Sequence, residues 1–230
     1  MRLSRAAWIA AGLFVVVCGI AGYAVWANLS QPIEAVAFAS GALCVWLVVR
    51  DHIWNWPIGL VNASTSAVLF WQARLYGDAT LNVVYFVLGI YGWYWWLYGG
   101  QDRSRLSILK TPAAELLAVL GTAVAATAGL TAWLAHVKGA APFLDAATTV
   151  FSLAAQYLLT RKYIENWLFW IAVDIVYVPL YWWRDLRLMA VLYAVFLAMA
   201  IAGYFEWRRR FETEKNAASQ AGSFAERPRN

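Results

Sequence analysis

Apolar residues fall in long unbroken runs along this chain, and the charges sit in the short breaks between them. The runs are roughly 18–22 residues long, the length a helix needs to cross a ~30 Å hydrocarbon core. Eight spans are predicted, at about 7–26, 31–50, 56–75, 79–98, 113–136, 143–160, 164–183 and 187–207. The connections are short, and the polar residues after Arg210 read as a disordered tail. The first span follows a basic start, Met1-Arg2-Leu3-Ser4-Arg5, as a signal peptide does. Its apolar stretch runs from Ala6 to Ala27, longer than the ~7–15 residues of a signal-peptide core, so a retained helix is expected.

Shifting the chain by 111 positions aligns two halves without a gap. Arg50 falls on Arg161, Asn55 and Trp56 on Asn166 and Trp167, Gly92 on Gly203, and Trp96 on Trp207. Leu75 falls on Leu186, and Glu34 on Asp145. Apolar matches are cheap in such a composition, whereas the Arg, Asn, Trp and Gly matches are not. Spans two to four and six to eight are therefore repeats, and span five links them. A three-helix unit crosses an odd number of times, so one linker helix makes the second copy parallel to the first. The expected fold is an all-α membrane protein of eight transmembrane helices. It comprises two parallel three-helix repeats joined by a linker helix (3+1+3), plus one extra N-terminal helix. The segments are 1–30 for the added helix, 31–98 for the first repeat and 99–142 for a cytoplasmic loop and linker helix. Residues 143–208 form the second repeat and 209–230 the tail. Parallel repeats of this kind occur in transporters whose substrate site lies near the midplane between them.

Composition agrees: 63% of the 230 residues are apolar and 13% are charged, against about 25% charged in a soluble domain. A net charge of +5 could point to nucleic acid, but the basic residues lie at span ends. With the N-terminus inside, 14 Lys and Arg fall on the cytoplasmic side. Four fall outside, namely Arg74, Lys138, Arg184 and Arg187, which completes the 18 of the chain. That asymmetry places both termini in the cytoplasm, and one span more or fewer would destroy it. Cys18 and Cys44 lie inside apolar runs, and His52 and His136 lie near span ends, so no metal cluster is expected. The chain has no phosphate-binding glycine loop, no HExxH and no Cys–His pairing, so neither enzymatic chemistry nor a cofactor is expected.

Ionisable groups at membrane depth are costly and need a reason. Asp174 sits near the middle of span seven, and Trp167, Trp170, Asp174, Tyr177 and Tyr181 share one helix face. A helix-packing role for Asp174 competes with a place in a substrate pocket. Span six carries a second polar stripe, Asp145, Thr148, Thr149, Ser152 and Gln156, whose equivalents in the first repeat are Glu34, Ala37, Phe38, Gly41 and Val45. An asymmetric polar face within a symmetric scaffold suits one asymmetric ligand. Asn62, Thr65 and Ser66 on span three, and Asn82, Tyr85 and Trp93 on span four, complete the candidates. Pro57 reads as a first-turn proline and Pro179 interrupts span seven. Glu115 and Glu165 lie at span ends beside water and need no special account.

The run from Trp56-Pro57-Ile58-Gly59 to Tyr91-Gly92-Trp93-Tyr94-Trp95-Trp96 resembles the PnuC family of nicotinamide riboside transporters. Arg161-Lys162-Tyr163-Ile164-Glu165-Asn166-Trp167-Leu168-Phe169-Trp170, followed by Asp174, extends the resemblance over about residues 31–208. The resemblance implies a SWEET-like 3+1+3 core and facilitated diffusion without ion coupling, with net uptake drawn by a cytoplasmic kinase that phosphorylates the entering substrate. Nicotinamide riboside carries a cationic pyridinium, a carboxamide and a ribose. Trp167, Trp170 and Trp93 are expected to sandwich the ring, Asp174 to meet the charge or the ribose, and Gln156 and Asn62 to pair with the polar groups. Tyr177, Ser152, Thr149 and Asn82 are expected nearby. The expected partners are this small molecule and the lipid bilayer of the bacterial inner membrane, with no nucleic acid, and homo-oligomerisation is left open. Thiamine and riboflavin are alternative substrates on the same scaffold. A non-transporting membrane scaffold or accessory subunit is the alternative of another class.

Overall fold

The structure is a computed structural model and is described over residues 5–27, 31–72, 76–138, 141–183 and 187–225. Arg2, Arg74, Arg184, Arg227 and Arg229 of the charge count, and Leu75 of the repeat with its partner Leu186, lie outside the described residues. Among the described residues eight α-helices follow one another: α1 (Arg5–Trp26), α2 (Pro32–Val49), α3 (Asn55–Gln72), α4 (Tyr76–Tyr98), α5 (Ala113–His136), α6 (Pro142–Thr160), α7 (Asn166–Trp183) and α8 (Arg187–Ala225). Among the described residues there is no β-strand beyond one parallel bridge between Leu109 and Tyr163. Helices are the expected outcome, because an apolar run in lipid must satisfy its backbone polar groups within itself.

The predicted spans match these helices to within a few residues, except at the C-terminus. The tail expected to be disordered continues α8 to Ala225. The cause is local. Glu206 accepts from Arg209 at 2.9 Å and Arg210 at 2.8 Å, one helical turn on, and the sequence beyond supplies helix formers such as Glu212, Glu214, Lys215 and Ala217.

Among the described residues, three stretches are long and apolar enough to cross a membrane by length and composition alone: Pro32–Val49, Ala113–His136 and Met189–Ala217. Helices α6 and α7 carry polar and aromatic side chains on buried faces instead, including Thr148 and Ser152 on α6 and Asp174 on α7.

Helix α2 packs on α3 and α3 on α4, while α6 packs on α7 and α7 on α8. The two triplets meet where α4 touches α6 and α2 touches α8. Helix α5 lies against α6, and α1 lies against α2 and α8, with Phe14 stacked on Trp46 at 6.1 Å. The segment between α4 and α5 is strapped onto the α6–α7 corner. Leu109 exchanges backbone hydrogen bonds with Lys162 and Ile164, and Thr111 donates to the Glu165 carboxylate through both its amide and its hydroxyl. Glu115 accepts from the hydroxyls of Tyr157 at 2.7 Å and Tyr163 at 2.8 Å. These two glutamates therefore tie α5 and its approach to the second triplet, a role that their position at span ends does not reveal.

Candidate substrate site

The Asn-Trp motif opens the second helix of each triplet, α3 and α7. Asn55 Nδ2 donates to the His52 carbonyl at 2.8 Å, and Asn166 Nδ2 to the Tyr163 carbonyl at 2.6 Å. Both amides brace the corner that starts the next helix. Each following tryptophan then crosses to a glycine of the third helix. A Cβ on Gly92 would lie 2.2 Å from the Trp56 ring, and one on Gly203 2.5 Å from the Trp167 ring. Only glycine admits such an approach. Trp56 meets Trp96 edge-on at 5.3 Å, Trp167 meets Trp207 edge-on at 5.6 Å, and Trp96 lies 6.0 Å from Trp207. The indole N–H of Trp96 donates to the Leu159 carbonyl at 3.0 Å, and that of Trp207 to the Val48 carbonyl at 2.9 Å. Residues 111 apart thus make matching contacts, and four tryptophans close the space between the triplets at one end.

Asp174 lies seven residues beyond Trp167, on the same face of α7. It is 6% exposed, and among the described residues no side chain donates a hydrogen bond to it. A buried carboxylate without a donor is costly, so a ligand group that completes it is strongly favoured. Beyond it stand tyrosines. Tyr177 stacks on Tyr181 at 5.4 Å, and Tyr193 of α8 contacts Tyr177 at 4.8 Å and Tyr181 at 5.1 Å. Tyr193 is also within electrostatic reach of Asp174. On α6, Ser152 lies beside the Tyr85 hydroxyl of α4, and Thr148 beside the Tyr177 hydroxyl of α7. The polar stripe of α6 therefore faces both α4 and α7. At the equivalent place in the other interface, a Cβ on Gly41 would lie 3.1 Å from the Asn62 amide and 3.8 Å from Phe196, so an amide and a ring stand there.

The structure brings Asp174, Tyr177 and the Ser152 stripe into one region, with Trp170 packed at its edge against both buried clusters. Gln156 and Thr149 are half-buried on α6, and Gln156 makes no side-chain hydrogen bond among the described residues. Other candidates are placed differently. Trp167 is 2% exposed, with its ring held by Trp207 and Gly203, so it belongs to the tryptophan floor. Asn62 Nδ2 donates to the Ala37 carbonyl at 2.7 Å and so ties α3 to α2. Asn82 donates to the Asp78 carbonyl of its own helix and borders an open apolar groove between α3 and α4. Trp93 on α4 keeps 37% exposure. Tyr193 escaped the sequence reading. It stands 111 residues after Asn82, so the repeat shift itself points to it.

Residues 31–209 match the family described as "Nicotinamide mononucleotide transporter", and that match spans well over half of the chain. The chain belongs to this family. It is similar to the nicotinamide riboside transporter PnuC of Escherichia coli, with 29% identity over 219 residues, covering 84% of this chain and 89% of that one. Similarity extends to the riboflavin/roseoflavin transporter RibM of Streptomyces davaonensis, at 26% identity, covering 73% of this chain and 80% of that one. Among solved structures, that of the vitamin B3 transporter PnuC superposes with a TM-score of 0.73 at 26% identity, covering 90% of this chain and 92% of that chain. With its apolar helices, this family member is a multi-pass membrane protein of a transporter family, and nothing in the family indicates catalysis.

Proposed function

We propose that this chain carries nicotinamide riboside across the bacterial inner membrane by facilitated diffusion. Two parallel three-helix repeats, 31–98 and 143–208, alternate in access about a site at Asp174. The single observation that carries this reading is the buried Asp174 carboxylate, which has no side-chain donor among the described residues and stands beside aromatic rings. A flat pyridinium cation supplies what that carboxylate lacks, and cation–π attraction to Trp170 and the tyrosines adds up to about 2 kcal/mol when desolvated. Ribose and carboxamide match the hydroxyl and amide groups of Ser152, Thr149 and Gln156. Trp167 forms the floor. Asn62, Asn82 and Trp93 flank the site from the first repeat. Phosphorylation by a cytoplasmic kinase traps the substrate. Similarity to a riboflavin carrier supports a second reading, with riboflavin as the ligand, whereas thiamine shares the cationic chemistry of nicotinamide riboside.

Asp174 is the one carboxylate of α7, and that helix carries no His, Lys, Arg or second acid to relay protons. Uptake is therefore driven by the substrate gradient alone. In proteoliposomes without kinase, labelled nicotinamide riboside should reach equal concentrations inside and outside. An imposed pH or Na⁺ gradient should leave that end point unchanged, and uphill accumulation would refute the uncoupled mechanism.

Orientation in this proposal follows the 14-to-4 charge asymmetry, which places both termini and the four-tryptophan end in the cytoplasm. Reporter fusions at Asn230 and Lys138 should then report opposite sides. The same side for both contradicts the eight-span topology.

A further inference from the structure

The corners that join the first two helices of each triplet carry opposite charges at equivalent positions. Asp51 lies between α2 and α3, and Lys162 lies 111 residues later, between α6 and α7. Both adopt left-handed backbone, with φ of 54° and 60°. Such corners are the usual place for glycine, and a charged residue there needs a separate reason. The two side chains meet across the interface, with Lys162 Nζ 2.6 Å from Asp51 Oδ1 and side-chain exposures of 4% and 20%. Lys162 Nζ also donates to the Leu106 carbonyl at 2.6 Å and lies 4.6 Å from the centre of the Trp96 ring. Leu106 in turn bonds the Trp96 carbonyl. The ion pair thus sits beside the four-tryptophan floor and joins the first triplet to the second.

We propose that Asp51 and Lys162 form a lock between the two triplets, which holds the four-tryptophan end shut and must part for substrate to leave on that side. This rests on the alternating-access reading above. A buried pair suits a lock because burial disfavours each charge alone, raising the Asp51 pKa and lowering that of Lys162, while mutual attraction offsets part of both shifts. The joined state is favoured only while the partners touch. Separation is tolerable when each charge reaches water, as it does at an opened vestibule.

Equivalence of the two corners supplies a decisive test. In a Cys18→Ser, Cys44→Ala, Ser152→Cys background, position 152 lies between α4 and α6, above the lock. Labelling by an impermeant maleimide is followed from each face in sided vesicles. Asp51→Asn and Lys162→Met should each raise labelling from the cytoplasmic face by about tenfold or more. The exchange Asp51→Lys with Lys162→Asp should return it most of the way to the parent rate, since both backbones accept either residue. Folding is checked by monodisperse gel filtration in detergent. Labelling equal to the parent in folded single variants overturns the lock, as does an exchange that labels as fast as the single variants. A rise confined to the opposite face supports the lock and refutes the assigned orientation. A rise in labelling, beside a wild-type protein that fails to carry nicotinamide riboside, supports the lock and refutes the substrate reading.

Discussion

Asp174→Asn should weaken binding of nicotinamide riboside by roughly 1.5–3 kcal/mol, the scale of a hydrogen bond to a charged group. The substitution keeps the shape of the side chain and one acceptor oxygen but deletes the charge. Nothing in the protein donates to the carboxylate among the described residues, so its removal orphans no protein partner. The fold should therefore survive and expression should hold. A merely structural Asp174 predicts the reverse: lower stability and unaltered affinity in whatever protein remains folded. Thermal melting beside calorimetric titration separates the two. The largest affinity losses should be for cations, because a neutral isoalloxazine ring gains little from the charge.

Gly203→Ala and Gly92→Ala should be among the most damaging small substitutions in the chain. One methyl group at either place would sit 2.2–2.5 Å from a tryptophan that is itself pinned by a neighbouring ring. Neither indole is the free end of a flexible chain, so the third helix of the triplet must move outward. Overpacking costs about 1–3 kcal/mol in ordinary cores and more where rings cannot yield. Two controls bracket the effect. At Gly89 the obstacle is the Leu60 side chain, which can rotate, and at Gly121 nothing lies within 4 Å. Gly121→Ala should be neutral, Gly89→Ala mild, and Gly203→Ala severe in detergent melting temperature. Equal melting temperatures for all three would show that the Trp–Gly contacts do not hold the triplets together.

Helix positions were legible in the sequence because hydrocarbon thickness fixes the length of an apolar run, and charged breaks mark its ends. The Asn, Trp and Gly matches of the 111-residue shift were legible too, although their meaning was not. Trp167 was expected to hold a ligand ring, because a tryptophan on the face of Asp174 reads as a cage. In the structure its ring lies on Gly203 against Trp207, a contact set by another helix and invisible to helical spacing. Asn62 reads as a partner for the ligand's polar groups, yet its amide reaches the backbone of α2. The polar stripe of α6 was visible because its period of three and four residues breaks an apolar run. Its partners Tyr85 and Tyr177 lie on separate helices, and only tertiary packing joins them to it. The α8 extension was missed because a polar composition reads as disorder, whereas turn-spaced Glu206–Arg209 and Glu206–Arg210 pairs favour helix.

Calorimetric titration of the purified wild-type protein with nicotinamide riboside, thiamine and riboflavin, run in parallel, tests the central claim most directly. The account predicts saturable binding of nicotinamide riboside tighter than that of the other two, and its loss in Asp174→Asn. Binding of riboflavin alone, unchanged by Asp174→Asn, would contradict it.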